Sequence, residues 1–200
     1  MDALLYKANR CADATVFISQ WLRDYFLRKW RNYHKPSFVI VNGADEGIFN
    51  LQDKRLWEGK GPLRIITHHW SDNPMKGLDI YQKMDSALAD PWVRERFDFT
   101  YVGRVPKGAG FKHTKVIGPL FGSELSQELK RHHVYLTASR NEPCGMHHIE
   151  GALCGLPVLY LDQGGGIVEC CRDYGVAFSI DNFYLSLWKI REQYQRLADA

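Results

Sequence analysis

Glu142 and Glu150 stand eight positions apart in the stretch NEPCGMHHIEGALCGLPV, which runs from Asn141 to Val158. Gly145 lies between them, at the expected start of a helix, where the missing side chain allows close backbone approach. The free N–H groups of such a first turn, helped by the positive end of the helix dipole, can hold a phosphate or a sugar oxygen. Glu142, just ahead of the helix, can accept hydrogen bonds from hydroxyls at its mouth. Glu150 falls about two turns on and can reach a diol such as that of a ribose. The plain alternative is a helix with ordinary surface acids, and spacing alone does not decide between the two.

Other residues of chemical interest are weaker signals. His68 and His69 end an apolar run, so one points to each face of a strand: one is expected to be packed, the other to line a site. Cys144, His148 and Glu150 lack the tight ligand pairs that zinc favours, and adjacent histidines on a helix point about 100° apart, so no metal site is expected. The glycines Gly164 to Gly166 are by themselves a common turn, and residues 70–77 lack the G-x-G-x-x-G of a dinucleotide site. The adjacent Cys170 and Cys171 carry no redox signature.

Six short apolar runs separated by helical periodicity must position these residues. They are LRIITHH (63–69), FDFTYVG (97–103), KVIGPL (115–120), VYLTAS (134–139), PVLYLD (157–162) and VAFSI (176–180). A helix is expected after the third, with Ser123 as its N-cap, and a last helix carries Leu187, Ile190, Tyr194 and Leu197 on one stripe. Such alternation predicts an α/β fold, a parallel sheet with helices on both faces. Ligands of these sheets sit beyond the carboxyl ends of the strands. The loops there hold His68 to Lys76, Gly103 and Arg104, Gly118 to Leu120, Ser139 to Gly145 and Gln163 to Gly166. Residues 1–50 do not fit this unit. ATVFIS reads as a strand, Trp21 to Trp30 as an amphipathic helix, and SFVIVNGADEGIF as a strand entering an Asn-Gly turn, which is too little for a core of its own.

Composition removes several function classes. The chain of 200 residues has a net charge of +3, with acids interspersed among its bases, unlike a nucleic-acid-binding face. No apolar stretch is long enough to cross a membrane, and the first residues lack the features of a secretory signal. Five cysteines, an odd number, point to free thiols in a reducing, cytoplasmic setting, with peripheral contact at a membrane left open.

SRNEPCGMHHIEGALCGLPV resembles the donor-binding signature of retaining GT-B glycosyltransferases of group 1, through Ser139, Glu142, Gly145, Glu150, Gly155, Pro157 and Val158, with Gly151 in place of the usual Ala. VNGADEGIF resembles the same family's linker through Asn42, Gly43, Asp45 and Phe49. MKG (75–77) resembles its phosphate-binding Lys-Gly, and GGGIVE its G-G-x-x-E loop through Gly165, Gly166 and Glu169. The resemblance implies a Rossmann-like, carboxyl-terminal half of a GT-B fold. Residues 51–200 would form the donor-binding domain, and residues 1–50 the remnant of an amino-terminal domain plus linker.

It also implies roles. Lys76 would neutralise the donor diphosphate and Glu142 would bind the transferred sugar, these two being the catalytic pair. Glu150 would bind the ribose, and Gly118 to Leu120 the base. Gly145, Cys144, Met146, His69, Gly165 and Gly166 would complete the donor site. The donor would be a UDP- or GDP-linked sugar, with no further cofactor, and the acceptor a sugar, lipid or polysaccharide bound by the amino-terminal domain. Without that domain the chain is expected to transfer nothing. One departure stands out: the family's Arg shortly before the Lys is absent from THHWSDNPMKG, leaving His68, His69 or Trp70 to line the site and Arg104 or Lys107 as cations within reach. A sugar-nucleotide epimerase on the same architecture and a non-catalytic nucleotide-sugar-binding module are the alternative readings.

Overall fold

The computed structural model describes residues 2–30 and 35–199; the rest of the expected 1–50 and 51–200 segments, residues 1, 31–34 and 200, lies outside the described residues. Helix α1 (Asp2–Cys11), strand β1 (Thr15–Phe17), helix α2 (Gln20–Lys29) and strand β2 (Ser37–Val39) form a small parallel unit. The remainder runs β3 (Leu63–His69), α3 (Leu78–Ala87), α4 (Pro91–Arg94), β4 (Phe97–Gly103), β5 (Lys115–Ile117), α5 (Gly122–Lys130), β6 (Val134–Thr137), α6 (Met146–Leu153), β7 (Val158–Leu161), α7 (Gly166–Cys171), β8 (Gly175–Phe178), α8 (Phe183–Glu192) and α9 (Tyr194–Ala198).

Strands β3 to β8 form one parallel sheet in the order β5-β4-β3-β6-β7-β8. The expected α/β sheet is therefore present, with all six strands where the apolar runs placed them. Side chains alternate across it, as the period of two requires. Leu63, Ile65, Phe97, Phe99, Val134 and Leu136 pack on one face against α3, α8 and α9. Ile66, Val102, Tyr135, Val158 and Tyr160 pack on the other against α5 and α7. Complete burial of such side chains contributes about 1.5–3 kcal/mol each, so both faces must be covered for the sheet to hold. The chain order reverses between β3 and β6. That switch point opens a crevice beyond their carboxyl ends.

Several local expectations are corrected. Helix α5 starts at Gly122, with Phe121 in extended geometry as its N-cap, so Ser123 lies inside the first turn; Gly122 at φ 49° turns the chain into the helix one residue early. Gly43 is not in the left-handed region, and the Asn-Gly turn does not form. The turn falls instead at residues 46–48, where the Asp45 carboxylate accepts the Gly47 N–H at 2.9 Å. The carboxyl-terminal stripe is buried as expected but is split between α8 and α9 at Gln193. The bend brings the Tyr194 hydroxyl within 3.2 Å of the Trp57 amide, whose N–H it accepts.

The small unit has its own cluster, Phe17, Phe26 and Trp30, supported by Tyr6 of α1. The start of α2 fastens it to helix α7. Glu169 of α7 accepts the Gln20 N–H at 2.8 Å and the Trp21 N–H at 3.3 Å, satisfying two of the free donors at the start of α2.

Candidate functional site

A cavity of about 500 Å³ occupies the switch point, and Asn42, His68, Trp70, Lys76, Glu142, Cys144, Gly145, Met146 and Glu150 are among its walls, with His69 and His147 behind. The residues singled out in the sequence from three separate segments converge here.

Lys76 ends a single 3-10 turn, Pro74–Lys76, in which the Asn73 carboxamide accepts the Met75 N–H at 2.9 Å. The Met75 carbonyl in turn accepts the Arg140 N–H at 2.8 Å, tying this turn to the loop after β6. Gly77 then takes φ 81°, and a Cβ there would lie 2.3 Å from the Ala138 carbonyl oxygen. Only glycine fits both the left-handed backbone and the contact. Gly77→Ala is expected to destabilise the fold by about 2 kcal/mol or more and to move Lys76 out of the cavity. Denaturant unfolding of the variant checks the first part, and an unchanged midpoint would refute it.

Glu142 is held by backbone. Asn141 adopts φ 50°, a conformation Asn tolerates, and its N–H donates to the Gln163 carbonyl. The Glu142 N–H donates to the Gly164 carbonyl at 3.0 Å, and its carbonyl accepts the Gly166 N–H at 2.8 Å. Gly165 sits in bridge register with Glu142. Gly165 and Gly166 thus brace the Glu142 loop, and the Gly166 amide is committed to it. The Glu142 carboxylate forms an ion pair with the Lys76 ammonium, both side chains being mostly buried.

Gly145 precedes α6 with ordinary backbone angles and no side chain capping the helix, so the first turn opens toward the cavity through Met146. Glycine is needed here for space: an added Cβ would fall 2.4 Å from the His147 ring. Cys144 is buried. Its carbonyl accepts the Asn42 carboxamide N–H at 3.1 Å, and a hydrogen bond from Cys170 draws its thiol down to about 7, with the Cys170 thiol pushed up in exchange.

Glu150 faces a partner that the sequence did not assign to it. His68 Nε2 lies 2.8 Å from the Glu150 carboxylate, and the carboxylate can only accept, so the proton is on Nε2. His68 Nδ1 then accepts the Tyr135 hydroxyl at 3.1 Å, while that oxygen accepts the His68 backbone N–H at 3.3 Å. Tyr135, His68 and Glu150 form one line of hydrogen bonds reaching from the core to the cavity. His69 points to the other face as alternation demands. Its Nε2 sits 2.6 Å from the Tyr81 hydroxyl and 3.1 Å from the Thr67 hydroxyl, and burial keeps it well below the usual histidine range. His147 is lowered likewise by burial, with Nε2 3.1 Å from the Thr137 hydroxyl. Burial raises the Tyr81 and Tyr135 phenols, so both remain protonated donors.

Gly118 and Leu120 follow β5 at the same end of the sheet, with Gly118 in open space and Leu120 half-buried against the apolar cluster of α5 and α7. The next residue carries more surface. Phe121, 53% exposed, packs its ring on that of Trp70, 46% exposed, with centroids 3.6 Å apart beside the cavity. Of the cations considered as a second diphosphate partner, Arg104 is exposed, and its backbone carbonyl accepts the Tyr101 hydroxyl. Arg140 was not singled out, although it lies inside the glutamate motif. Its guanidinium is engaged bidentately by Asp79 at 2.9 and 2.7 Å, which raises the Arg and lowers the Asp. Among the described residues, no group of three or more His, Cys, Asp or Glu is placed to hold a metal ion, and no helix is long and apolar enough to cross a membrane.

Known proteins resemble this chain in two ways. The sequence model of the family described as Glycosyl transferases group 1 matches residues 108–185, which include both glutamates. Sucrose-phosphate synthase from Thermosynechococcus elongatus superposes with a TM-score of 0.75 at 16% identity, over 98% of this chain and 54% of the synthase. The pneumococcal O-GlcNAc transferase GtfA, solved with UDP and GlcNAc, gives 0.70 at 18%, over 98% and 43%. The catalytic domain of starch synthase IV from Arabidopsis thaliana, solved with ADP and acarbose, gives 0.68 at 14%, over 97% and 52%. No curated protein sequence matches. The chain spans about half the length of these solved structures. The fold is that of the GT-B glycosyltransferases, and residues 108–185 carry the sequence pattern of glycosyl transferases group 1.

Proposed function

We propose that this chain is the donor-binding domain of a glycosyltransferase, which takes a nucleotide-linked sugar and passes the sugar to an acceptor hydroxyl with retention of anomeric configuration. The observation that carries the reading is the meeting of Lys76, Glu142, Glu150 and the open start of α6 around one cavity at the switch point of the sheet. Each offers what one part of such a donor needs. The Lys76 ammonium and the first-turn amides of α6 face the diphosphate, where negative charge grows as the sugar departs. The Glu142 carboxylate, fixed by the Gly164–Gly166 loop, accepts from sugar hydroxyls. Glu150, steered by His68, accepts from the ribose diol. Retention and the division of labour with an acceptor-binding domain rest on the motif resemblance and on the chain spanning about half of the related structures.

Calorimetric titration with UDP, GDP, ADP and their sugar derivatives tests the reading. One nucleotide is expected to bind in preference, and Glu150→Ala is expected to weaken it about tenfold, the value of a charged hydrogen bond. The same nucleotide-sugar incubated with the purified chain and sugar acceptors is expected to give no transfer, because the acceptor site belongs to the other domain. Absence of binding by any nucleotide to folded protein would overturn the donor reading; turnover by the chain alone would overturn only the division of labour.

A further inference from the structure

The hollow at the amino end of β3 is larger than the donor cavity, at about 700 Å³, and lies between the loop 47–55 and helix α5. Four of its lining residues are cations, Arg55, Arg64, Lys130 and Arg131, against the single carboxylate of Asp53. Arg131 is paired with Glu128 at 3.0 Å, and Lys130 donates to the Asn50 carboxamide at 2.8 Å. Arg64 is different. Its Nε is buried without an acceptor, and no carboxylate lies within ion-pair distance of its guanidinium among the described residues. Asp98 stands beside it in strand register but is exposed and unpaired with it.

The contact Arg64 does make is with a poor partner. His133 Nδ1 accepts the Arg64 backbone N–H at 3.0 Å, while His133 Nε2 lies 3.0 Å from the guanidinium. A neutral imidazole has one acceptor nitrogen and one N–H, so one of these two contacts sets donor against donor. A protonated ring has no acceptor at all. The Arg64 guanidinium therefore lacks an acceptor at Nε and meets only this compromised contact at its terminal nitrogen. Burial, with the Arg64 charge adding to it, holds Lys54 down to about 7, His132 to about 4 and His133 to about 3.

We infer that this hollow binds a phosphorylated sugar, with the phosphate on Arg64 and Lys130 and a hydroxyl on the Gln127 carboxamide. A planar fork of N–H donors matches phosphate oxygens two at a time, and a carboxamide both donates to and accepts from hydroxyls. The volume suits a ligand of that size. The site lies at the opposite end of β3 from the Lys76 cavity and does not depend on what that cavity binds.

Amide NMR of the labelled chain tests this with glucose 6-phosphate, inorganic phosphate, glucose and sodium chloride at matched ionic strength. Glucose 6-phosphate is expected to give saturable shifts at Arg64, Gln127 and Lys130 with a Kd of about 1 mM or tighter, and glucose none. Arg64→Gln and Lys130→Gln are each expected to weaken binding about tenfold, while Lys76→Ala leaves it unchanged. Lys130 lies on the surface of α5, so its variant remains informative if the Arg64 variant fails to fold. Undiminished binding by a folded variant, shifts reproduced by chloride, or inorganic phosphate binding as tightly as glucose 6-phosphate would each overturn the assignment.

Discussion

Lowering the pH from 7 to 5.5 is expected to remove on the order of 5 kcal/mol of stability, enough to unfold much of a domain of ordinary marginal stability. The cause is five histidines held neutral by burial, His69, His132, His133, His147 and His148. Burial lowers all five, His132 and His148 to about 4, His133 to about 3, and His69 and His147 well below their usual range. The sign follows from which state takes protons first. In the unfolded chain the rings bind protons as pH falls through about 6.5, whereas the folded rings stay neutral, so stability is present above 6.5 and lost below it. Each ring contributes about 1 kcal/mol between pH 7 and 5.5. Asp79, whose carboxyl is lowered chiefly by its hydrogen bond from Arg140, loses its contribution only in the carboxylate range below, so the two windows separate. His148 isolates the effect, because neither ring nitrogen has a protein partner and no hydrogen bond is lost on replacing it. His148→Met is expected to flatten the pH dependence by about a fifth and to be more stable than the parent at pH 5.5. Thermal unfolding from pH 7 to 5 measures both. A melting temperature flat across that range would refute the account.

Another histidine, His68, shows where sequence reading ends. The six strands were legible because each is a short apolar run, and a parallel sheet buried on both faces leaves no other pattern. The end of the sheet where the cavity opens was legible too, since unusual residues crowd the loops after the strands. The Glu150 partner was not. His68 and Glu150 are 82 positions apart in sequence, and what joins them is the adjacency of β3 and β6 together with the rotation of α6. Alternation placed His68 and His69 on opposite faces; it could not say which face held the glutamate. The glycines Gly165 and Gly166 illustrate the reverse case, where a motif was visible but its work was not. Their contacts are with the Glu142 backbone, so they fix the carboxylate from behind. Arg64 carried no signal at all, being the second residue of an apolar strand.

Local errors came from the same source. An Asn-Gly pair favours a turn only where the flanking chain must reverse, and here Asn42 is drawn instead to the Cys144 carbonyl across the cavity. Ser123 is a good N-cap by type, but the backbone at Gly122 starts α5 before it. Tertiary contacts decided both.

Lys76→Ala and Glu142→Gln are expected to act in opposite directions on nucleotide diphosphate binding, although the two side chains touch. In the free protein the Lys76 ammonium is neutralised by the Glu142 carboxylate, in a setting where both are mostly shielded from water. A diphosphate entering the cavity must share or take that ammonium, and the Glu142 charge repels it while it does so. Removing the ammonium leaves the carboxylate alone against the phosphates, so Lys76→Ala is expected to weaken a nucleoside diphosphate about 100-fold. Removing the carboxylate charge frees the ammonium, so Glu142→Gln is expected to bind the plain diphosphate as tightly as the parent or up to about tenfold tighter. The sugar-linked form separates the two roles further. If Glu142 accepts from sugar hydroxyls, the extra affinity of nucleotide-sugar over plain nucleotide disappears in Glu142→Gln and persists in Lys76→Ala. Calorimetry of both ligands against both variants gives all four values. Equal losses in the two variants would mean that the pair serves only to hold the loops together, and the roles assigned to Lys76 and Glu142 would fall with it.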